Sequence, residues 1–437
     1  KPREAIERLG ALRTSNRYLQ LPASNRSRLD AVGPRLIEAA GATTDPDVTL
    51  SRGLSFLENI ARRGAYLALL QQYPMALRRV ADMICASTWG TEYLNLHPLL
   101  LDELLDPRLY EIATDWKGFR EQLQRNLADH AGDTEREMDI LREMHHAQVF
   151  RLLAQDLAGL QTIEHLSDHL TELADSIVQI TLPLVWSKIR NRHCETPKFA
   201  VIGYGKLGGK ELGYASDLDL VYLYDDEDQD AQENYTRLGQ RLNTWLSSQT
   251  PAGILFETDL RLRPNGDSGM LAVTVNGFRD YQMKHAWVWE HQALTRARHV
   301  AGEATIGERF EALRIGMLRL PRDRADAFYE VWAQQCLSGA MADVVMVSSD
   351  SAGRVIGYLA HRRREPASSI GTPSTMAPTP SPQVSISSTQ PVGTARQKRS
   401  VRRSPWLAAI AVTGVIFGAV YLLMATRKRL FGPVVPA

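Results

Sequence analysis

The sequence predicts an α+β protein with a helical N-terminal region followed by a small mixed α/β domain. Apolar residues recur every three or four positions up to about residue 195, which is typical of amphipathic helices. At Pro197 the pattern changes to short strand-like runs around one amphipathic stretch. Near the end, a Ser/Thr/Pro-rich stretch precedes an uncharged apolar segment. The expected segments are 1–195 (helical linker or regulatory region), 196–323 (α/β domain), 324–365 (short divergent α/β segment), 366–404 (disordered linker) and 405–429 (a single hydrophobic, transmembrane helix).

Composition and charge exclude few classes of protein. The 437 residues suffice for two or three domains, and the net charge of +1 gives no argument for a nucleic-acid partner. Cys85, Cys194 and Cys336 are far apart and follow no ligand spacing, which argues against a disulfide scaffold or a zinc site and suits a reducing compartment. Because the chain starts at Lys1 with neither a methionine nor a signal peptide, we expect it to begin inside a longer protein.

The helical region offers one well-marked helix. Its apolar positions are Met138, Leu141, Met144, Val149, Leu152, Leu153, Leu157 and Leu160. Asp133 is the expected N-cap, with Glu135 in the first turn. Prolines are expected to interrupt the helical pattern at Pro98, Pro107 and Pro183.

His145 and His146 lie next to each other on this helix. Adjacent helical residues point in different directions, so the two make a poor metal pair. We interpret them as helix surface and packing.

Three strands and one helix are predicted after Pro197. The strand candidates begin at Phe199 (FAVI), span Asp217–Tyr224 (DLDLVYLY) and span Ile254–Leu262 (ILFETDLRL). Tyr235–Ser248 has the spacing of an amphipathic helix. This order of strand, helix and strand predicts a small mixed α/β domain.

Three carboxylates on these strands form a candidate metal site. Asp217 and Asp219 are two positions apart, so they share a strand face, and such a pair repels unless a cation lies between. Asp259, on the later strand, could lie beside them. Three carboxylates suffice for a two-metal site that holds the oxygens of a phosphoryl displacement in line, so we expect Mg²⁺.

A glycine-rich stretch and two arginines flank the carboxylates. Lys206 lies among the glycines, where backbone N–H groups and an ammonium group could receive phosphate; these glycines are Gly203, Gly205, Gly208 and Gly209. The stretch is neither a P-loop nor a dinucleotide-binding fingerprint. Arg261 and Arg263 are in phase with Asp259 and could clamp a triphosphate.

Each of these features is ordinary when it stands alone. An Asp-x-Asp pair is usually a surface or turn feature, glycines usually mark turns, and alternating arginines usually line a solvated strand face. Their occurrence in this order, at the spacing of a strand, a helix and a strand, favours the functional interpretation.

The motif resembles the nucleotidyltransferase superfamily that includes DNA polymerase β. The segments YGKLGGKELGYASDLDLVYLYD, ETDLRLRP and AWVWEHQALTRAR are similar to the C-terminal, adenylylating half of the glutamine synthetase adenylyltransferase family. The segments HPLLLDELLDPR and HAQVFRLLAQDLAGL resemble the region that joins the two halves of that family. The resemblance covers about Leu12–Asp323 and implies a polymerase-β-like fold for 196–323.

The resemblance implies transfer of AMP from ATP to a tyrosine of glutamine synthetase. Asp217, Asp219 and Asp259 would then be both the catalytic residues and the ligands of two Mg²⁺ ions. The implied nucleotide-binding residues are Gly205, Lys206, Gly208, Gly209, Ser216, Arg261 and Arg263. Implied partners are glutamine synthetase and the PII signalling protein, with glutamine as an effector and no nucleic acid.

Two other functions remain open on the sequence. Phosphorolytic removal of AMP from glutamine synthetase would use the same carboxylates. The other is a membrane-tethered interaction protein whose catalytic domain no longer turns over substrate. It is suggested by the missing deadenylylating half and by the departure of the chain from the family after Asp323. A genuine fusion and a gene-assembly artefact both fit the sequence after that point.

The C-terminal part carries two structural predictions. The segment Asp343–Ala360 is expected to form a hairpin around Ser351-Ala352-Gly353. The apolar segment Trp406–Thr426 has the length of a membrane span between basic flanks, which would leave the catalytic domain in the cytoplasm.

Five residues near the end of the motif are ambiguous. Trp287 and Trp289 are expected to be buried against the sheet. Glu290, Arg296 and Arg298 could contact nucleotide, but we favour a structural role through ion pairing.

Overall fold

A computed structural model describes residues 2–111, 114–319, 344–349 and 355–361. The α-helices are α1 Pro2–Thr14, α2 Asn16–Leu19, α3 Ala23–Gly41, α4 Pro46–Ile60, α5 Gly64–Gln72, α6 Pro74–Ala86, α7 Thr88–Leu96, α8 Trp116–Ala128, α9 Thr134–Leu157, α10 Ile163–Ser187, α11 Gly205–Gly208, α12 Ala231–Ser247, α13 Val275–Lys284, α14 Val288–Ala293 and α15 Ala304–Leu318. The strands are β1 Phe199–Tyr204, β2 Leu218–Tyr224, β3 Thr258–Asp259, β4 Ala272–Thr274, β5 Arg298–Gly302, β6 Val344–Ser349 and β7 Val355–His361. Short 3₁₀ helices span Pro98–Leu105, Pro107–Tyr110, Gly266–Ser268 and Leu294–Arg296. The predicted α+β class, with helices first, is confirmed.

The start of α9 follows the predicted capping pattern. The Asp133 carboxylate accepts a hydrogen bond of 3.1 Å from the backbone N–H of Arg136, which satisfies one of the free donors at the helix start. Pro98 and Pro107 each begin a 3₁₀ helix, as breaks in the α-helical pattern should.

The expected break at Pro183 is wrong, because this proline lies inside α10. An internal proline costs a helix about 3 kcal/mol. Around it, Leu182, Val185 and Trp186 are each no more than 2% exposed, and the burial of these side chains offsets that cost.

The prediction that His145 and His146 lie partly on the surface is also wrong, although the packing role is right. Both are buried, and the ring of His97 stacks on His146 at 3.9 Å between centroids. The Tyr93 hydroxyl lies 2.6 Å from Nδ1 of His146. Burial lowers the pKa of His145 to about 3 and of His146 to about 2, so both rings are neutral at pH 7.

The five-stranded sheet is mixed, in the order β3-β2-β1-β5 with β4 also on β2. β1 pairs antiparallel with both β2 and β5. β3 and β4 pair parallel with opposite ends of the same edge of β2. β1 and β2 are antiparallel, so they are not joined by the strand–helix–strand crossover of a dinucleotide-binding fold. This agrees with the absence of a dinucleotide-binding fingerprint from the sequence.

Helices cover both faces of this sheet. Alternate residues of β1, such as Phe199 and Val201, pack with α10 and α12, whereas Ala200 and Ile202 pack with α13 and α15. The segment Leu220–Tyr224 is therefore buried throughout, which explains its uninterrupted apolar sequence.

Arg142 of α9 ties the helical region to the α/β domain. Its side chain is fully buried and donates hydrogen bonds to the carbonyl oxygens of Met138 at 2.8 Å, Trp245 at 2.9 Å, Ser248 at 2.6 Å and Gly253 at 2.8 Å. Two of these carbonyls belong to the end of α12, where helix acceptors lack intrahelical partners. Burial lowers the pKa of Arg142 to about 10, so it keeps its charge at pH 7.

The chain divides into two units, 1–321 and 322–437. In the second unit, β6 and β7 form the predicted antiparallel hairpin, while its turn residues lie outside the described part. The predicted linker 366–404 and apolar segment Trp406–Thr426 lie outside it as well. Among the described residues, no helix is long and apolar enough to span a bilayer.

Replacing Arg142 with Met tests whether its hydrogen bonds link the helical region to the α/β domain. The variant keeps most of the side-chain volume but leaves the carbonyls of Trp245, Ser248 and Gly253 without this donor. At roughly 1 kcal/mol or more for each buried acceptor, we expect a loss of about 3 kcal/mol in urea denaturation. Arg136→Met is the control, since its ion pair with Glu143 is partly exposed and should cost less than about 1 kcal/mol. Equal losses for the two variants would contradict the assignment.

Candidate active site

Three carboxylates meet where β2 begins. Asp219 lies on β2 and is the direct neighbour of Asp259 on the parallel strand β3, and Asp217 immediately precedes β2. One ligand oxygen from each of the three lies within 4.8 Å of the others. The structure thus brings together the three residues that the sequence singled out.

The negative charges of this cluster favour binding of a cation. Burial, followed by the charges of Asp217 and Asp259, raises the pKa of Asp219 above its usual range. Among the described residues, no hydrogen-bond donor contacts the carboxylate of Asp219, and Lys206 is the one cation near Asp217, with Nζ 3.9 Å from Oδ1. A set of carboxylate oxygens with such charge repulsion fits Mg²⁺, which prefers oxygen ligands.

Two glycines bring the preceding turn against the carboxylates. Gly205 begins the one-turn helix α11 with φ of +55°, and a Cβ there would lie 2.0 Å from Oδ2 of Asp219. A Cβ on Gly208 would lie 2.1 Å from the carbonyl oxygen of Arg296. Any side chain at either position would push the turn away from the carboxylates. Lys206, between them, is exposed.

Ser216 and Gly209 shape the loop around the site. The Ser216 hydroxyl accepts a hydrogen bond of 2.9 Å from the backbone N–H of Gly213, which fixes the turn just before Asp217. At Gly209, a Cβ would lie 2.8 Å from a carboxylate oxygen of Glu211 and 3.1 Å from Nε of Arg296.

The expectation that Arg261 and Arg263 follow Asp259 along one strand face is wrong. β3 ends at Asp259, because the Asp259 carboxylate accepts hydrogen bonds from the backbone N–H of Arg261 at 2.8 Å and from its Nε at 2.9 Å. This local turn replaces the ladder. Hydrogen bonding from Arg261 holds the pKa of Asp259 below its usual range. Arg263 is largely buried, donates to the carbonyl of Leu260 at 2.7 Å and pairs with Asp267 at 3.5 Å.

The expected burial of Trp287 and Trp289 is wrong as well, since they are 56% and 43% exposed. Glu290 and Leu294 lie four positions apart, on the buried face of the short helix α14 and the turn after it. The two tryptophans therefore lie on other faces of the helix. Glu290 accepts hydrogen bonds from the Tyr281 hydroxyl at 3.1 Å and from the Trp287 backbone at 3.2 Å.

Arg296 and Arg298 form the ion pairs expected of structural residues. Arg296 pairs with Glu211 at 2.6 Å, and Arg298 pairs with Asp175 of α10 at 2.8 Å. Arg298 also donates to the carbonyl of Leu207 in the glycine turn at 3.1 Å. Sequence reasoning missed Asp175 and Glu211 because nothing in their local pattern indicates a partner 123 or 85 positions away.

Comparison with known proteins gives this arrangement a family context. The sequence pattern of the glutamate-ammonia ligase adenylyltransferase family matches residues 77–313, just over half of the chain. A bifunctional glutamine synthetase adenylyltransferase/adenylyl-removing enzyme of Aromatoleum aromaticum is 63% identical over 316 residues, which cover 72% of this chain and 34% of that protein. The similarly named protein of Chromobacterium violaceum is 54% identical over 334 residues, covering 76% and 37% of the two chains. This chain therefore spans about a third of the length of the curated relatives it matches.

The raised pKa of Asp219 predicts how this site affects stability. A carboxyl group whose pKa is higher in the folded protein stabilises the fold while protonated, and this contribution is lost as pH rises through the folded pKa. Without metal at pH 7, Asp219→Asn should therefore melt at a higher temperature than the original chain. Mg²⁺ at ten times its dissociation constant should stabilise the original chain by about 1.4 kcal/mol and leave the variant unchanged.

The control is Asp280→Asn, an exposed acid on α13 paired with Arg279 and Lys284. It should keep the shift with Mg²⁺. Thermal unfolding at pH 7 with and without Mg²⁺ measures both effects, and an equal shift in Asp219→Asn would exclude this residue as a ligand.

Proposed function

We propose, because this chain belongs to the glutamate-ammonia ligase adenylyltransferase family, that it transfers AMP from ATP to a tyrosine of glutamine synthetase. The observation that carries the proposal is the meeting of Asp217, Asp219 and Asp259 beside the glycine turn at Gly205. The names of the relatives support glutamine synthetase as the acceptor protein.

In this proposal the three carboxylates hold two Mg²⁺ ions, with Asp217 and Asp219 shared and Asp259 completing one site. Bound metal would supply Lewis-acid stabilisation to the attacking and leaving oxygens of the displacement. The acceptor is a phenol with a pKa near ~10, so its proton must leave as the new P–O bond forms. The carboxylate cluster is the basic group nearest to that oxygen.

The glycine turn and Lys206 would bind the phosphates. The backbone of Gly205, without a side chain, would approach phosphate oxygens. Gly208 and Gly209 would hold the turn in place, since Gly208 packs against the Arg296 carbonyl and the Gly209 N–H donates to the Gly205 carbonyl at 3.0 Å. The ammonium group of Lys206, exposed beside Asp217, would neutralise charge on the departing pyrophosphate. Ser216 acts by fixing the loop, and Arg263 acts by fixing the turn after β3.

Regulation is part of the same proposal. By resemblance to the family, the PII signalling protein and glutamine would set the rate of transfer. The family resemblance includes removal of AMP by phosphorolysis, and the names of the relatives include an adenylyl-removing activity. We assign this chain to addition because its motif wording, including AWVWEHQALTRAR from Ala286, is similar to that of the adenylylating half.

Incubation with labelled substrates tests both direction and acceptor. With unmodified glutamine synthetase, Mg²⁺ and ATP labelled in the α-phosphate, label should enter the synthetase. With adenylylated synthetase and inorganic phosphate, little ADP should form. Phosphorolysis without addition would reverse the assignment.

The carboxylates should be indispensable to that reaction. Asp217→Asn and Asp219→Asn should each slow AMP transfer at least about a thousandfold, or about 4 kcal/mol, while far-ultraviolet circular dichroism stays unchanged. Asp280→Asn, which lies outside the site, should transfer AMP at the original rate. Near-normal transfer by either cluster variant would refute the metal assignment.

Arg261 offers a separate prediction, since its backbone N–H and guanidinium both donate to Asp259. Arg261→Gln should lower the Mg²⁺ concentration needed for half-maximal activity, because Asp259 no longer has a competing cation. The same variant should raise KM for ATP by about tenfold, the loss of one charge-assisted contact of roughly 1.4 kcal/mol. Arg279→Gln, an exposed arginine on α13, is the control. Unchanged Mg²⁺ and ATP dependences in Arg261→Gln would remove Arg261 from the site.

A further inference from the structure

A second group of metal-ligating side chains lies at the other end of β2. His193 and Cys194, in the loop between α10 and β1, meet Asp226, which follows β2. One ligand atom from each of the three lies within 4.8 Å of the others. The site proposed for AMP transfer does not use them, since the five residue steps of β2 from Asp219 to Tyr224 span about 17 Å at ~3.3 Å each.

The spacing of these ligand atoms fits one tetrahedral ion. Zinc bonds of 2.0–2.3 Å place neighbouring ligands of a tetrahedron roughly 3.3–3.8 Å apart. In the structure, Nε2 of His193 lies 3.6 Å from Sγ of Cys194 and 3.0 Å from Oδ2 of Asp226. The third separation, between Sγ of Cys194 and a carboxylate oxygen of Asp226, is at most 4.8 Å, so a shift of up to about 1 Å closes the three ligands around one ion.

The cluster is also enclosed and held in place. The side chains of His193 and Asp226 are each 6% exposed, while Cys194 is partly exposed. The Tyr235 hydroxyl donates to Oδ2 of Asp226 at 2.9 Å, and Asn234 faces Nδ1 of His193 at 3.0 Å. Metal-bound histidines usually have such a partner on the second ring nitrogen.

A catalytic Cys-His-Asp triad does not fit this geometry. In such a triad the imidazole contacts the nucleophile with one nitrogen and the acid with the other. Here Sγ of Cys194 and Oδ2 of Asp226 both lie nearest to Nε2 of His193. Both atoms thus share one imidazole nitrogen, where an ion would replace the hydrogen bond between His193 and Asp226, while Lys198 pairs with the other oxygen of Asp226 at 3.2 Å.

We propose that His193, Cys194 and Asp226 bind one Zn²⁺ ion, with solvent as the fourth ligand. Thiolate, imidazole and carboxylate together suit zinc better than Mg²⁺, which takes oxygen ligands. Binding displaces the thiol proton of Cys194 to solvent. It also moves the proton of His193 from Nε2 to Nδ1, and the Asn234 amide turns to accept a hydrogen bond from Nδ1.

The ion would join segments that are far apart in the sequence. His193 and Cys194 lie in the connection from the helical region to the sheet, and Asp226 lies in the connection from β2 to α12. Zinc would fix the path of the chain into β1 from the side opposite the carboxylates. Its role there would be to hold the two connections together.

Cobalt substitution tests the site on the full chain, with excess Mg²⁺ present to occupy the carboxylate cluster. The metal-free chain should bind one Co²⁺ with a thiolate-to-cobalt charge-transfer band and the visible bands of a tetrahedral ion, and Zn²⁺ should abolish both. Cys194→Ser should lose the charge-transfer band. The control Cys85→Ser should retain it, because Cys85 lies beside Thr44 in the helical region.

A second measurement does not depend on the variants. After dialysis against Mg²⁺ buffer, the original chain should retain about one equivalent of zinc by elemental analysis and should melt at a higher temperature than the chelator-treated chain. The proposal is overturned if the original chain retains no zinc, or if the charge-transfer band persists in Cys194→Ser.

Discussion

The candidate active site depends on the buried guanidinium of Arg142. Among the described residues it donates to carbonyl oxygens, which belong to Met138 of its own helix, to the end of α12 and to the turn at Gly253. That turn leads directly into β3, where the Phe256 backbone N–H bonds to the Leu246 carbonyl at 3.0 Å and the Leu218 N–H bonds to the Glu257 carbonyl at 2.9 Å. Asp259 reaches Asp219 because the chain between α12 and β3 is held at both of these points. The helical region is thus part of the scaffold of the site.

A second set of contacts from the helical region positions the glycine turn. Arg298 of β5 bonds at once to Asp175 of α10 and to the Leu207 carbonyl, and Gln179 of α10 donates to the Val300 carbonyl at 3.0 Å. Because Gly208 packs against the Arg296 backbone, the turn, β5 and α10 cannot move independently. One helix, α9, therefore supports the strand with the third carboxylate, and another, α10, supports the turn proposed to bind phosphate.

Local patterns in the sequence were enough to predict β1, β2, α12 and the cap of α9, because each depends on neighbours within a few positions. The meeting of Asp217, Asp219 and Asp259 followed from period two and strand adjacency. The end of β3 did not, since it depends on whether Arg261 bonds back to Asp259 or continues the ladder. The carbonyl partners of Arg142 in the α/β domain lie 103 to 111 positions away, and no local sequence pattern indicates contacts at that distance. The cysteine spacing argued against a zinc site, whereas the proposed zinc cluster uses one cysteine and an aspartate, Asp226, on another connection, which cysteine spacing cannot indicate.

The distribution of cations around the carboxylates indicates how the metal-free site is arranged. Arg261 neutralises Asp259, and Lys206 lies near Asp217, but no described residue forms an ion pair with Asp219, the most buried of the three. The electrostatic repulsion is therefore greatest at Asp219, which is flanked by Asp217 and Asp259. A cation that binds there relieves most of this repulsion. In the proposed mechanism Asp259 would bind metal only when Arg261 releases it. The guanidinium would then be free to bind a polyphosphate, so the two binding events would be coupled through this single ion pair.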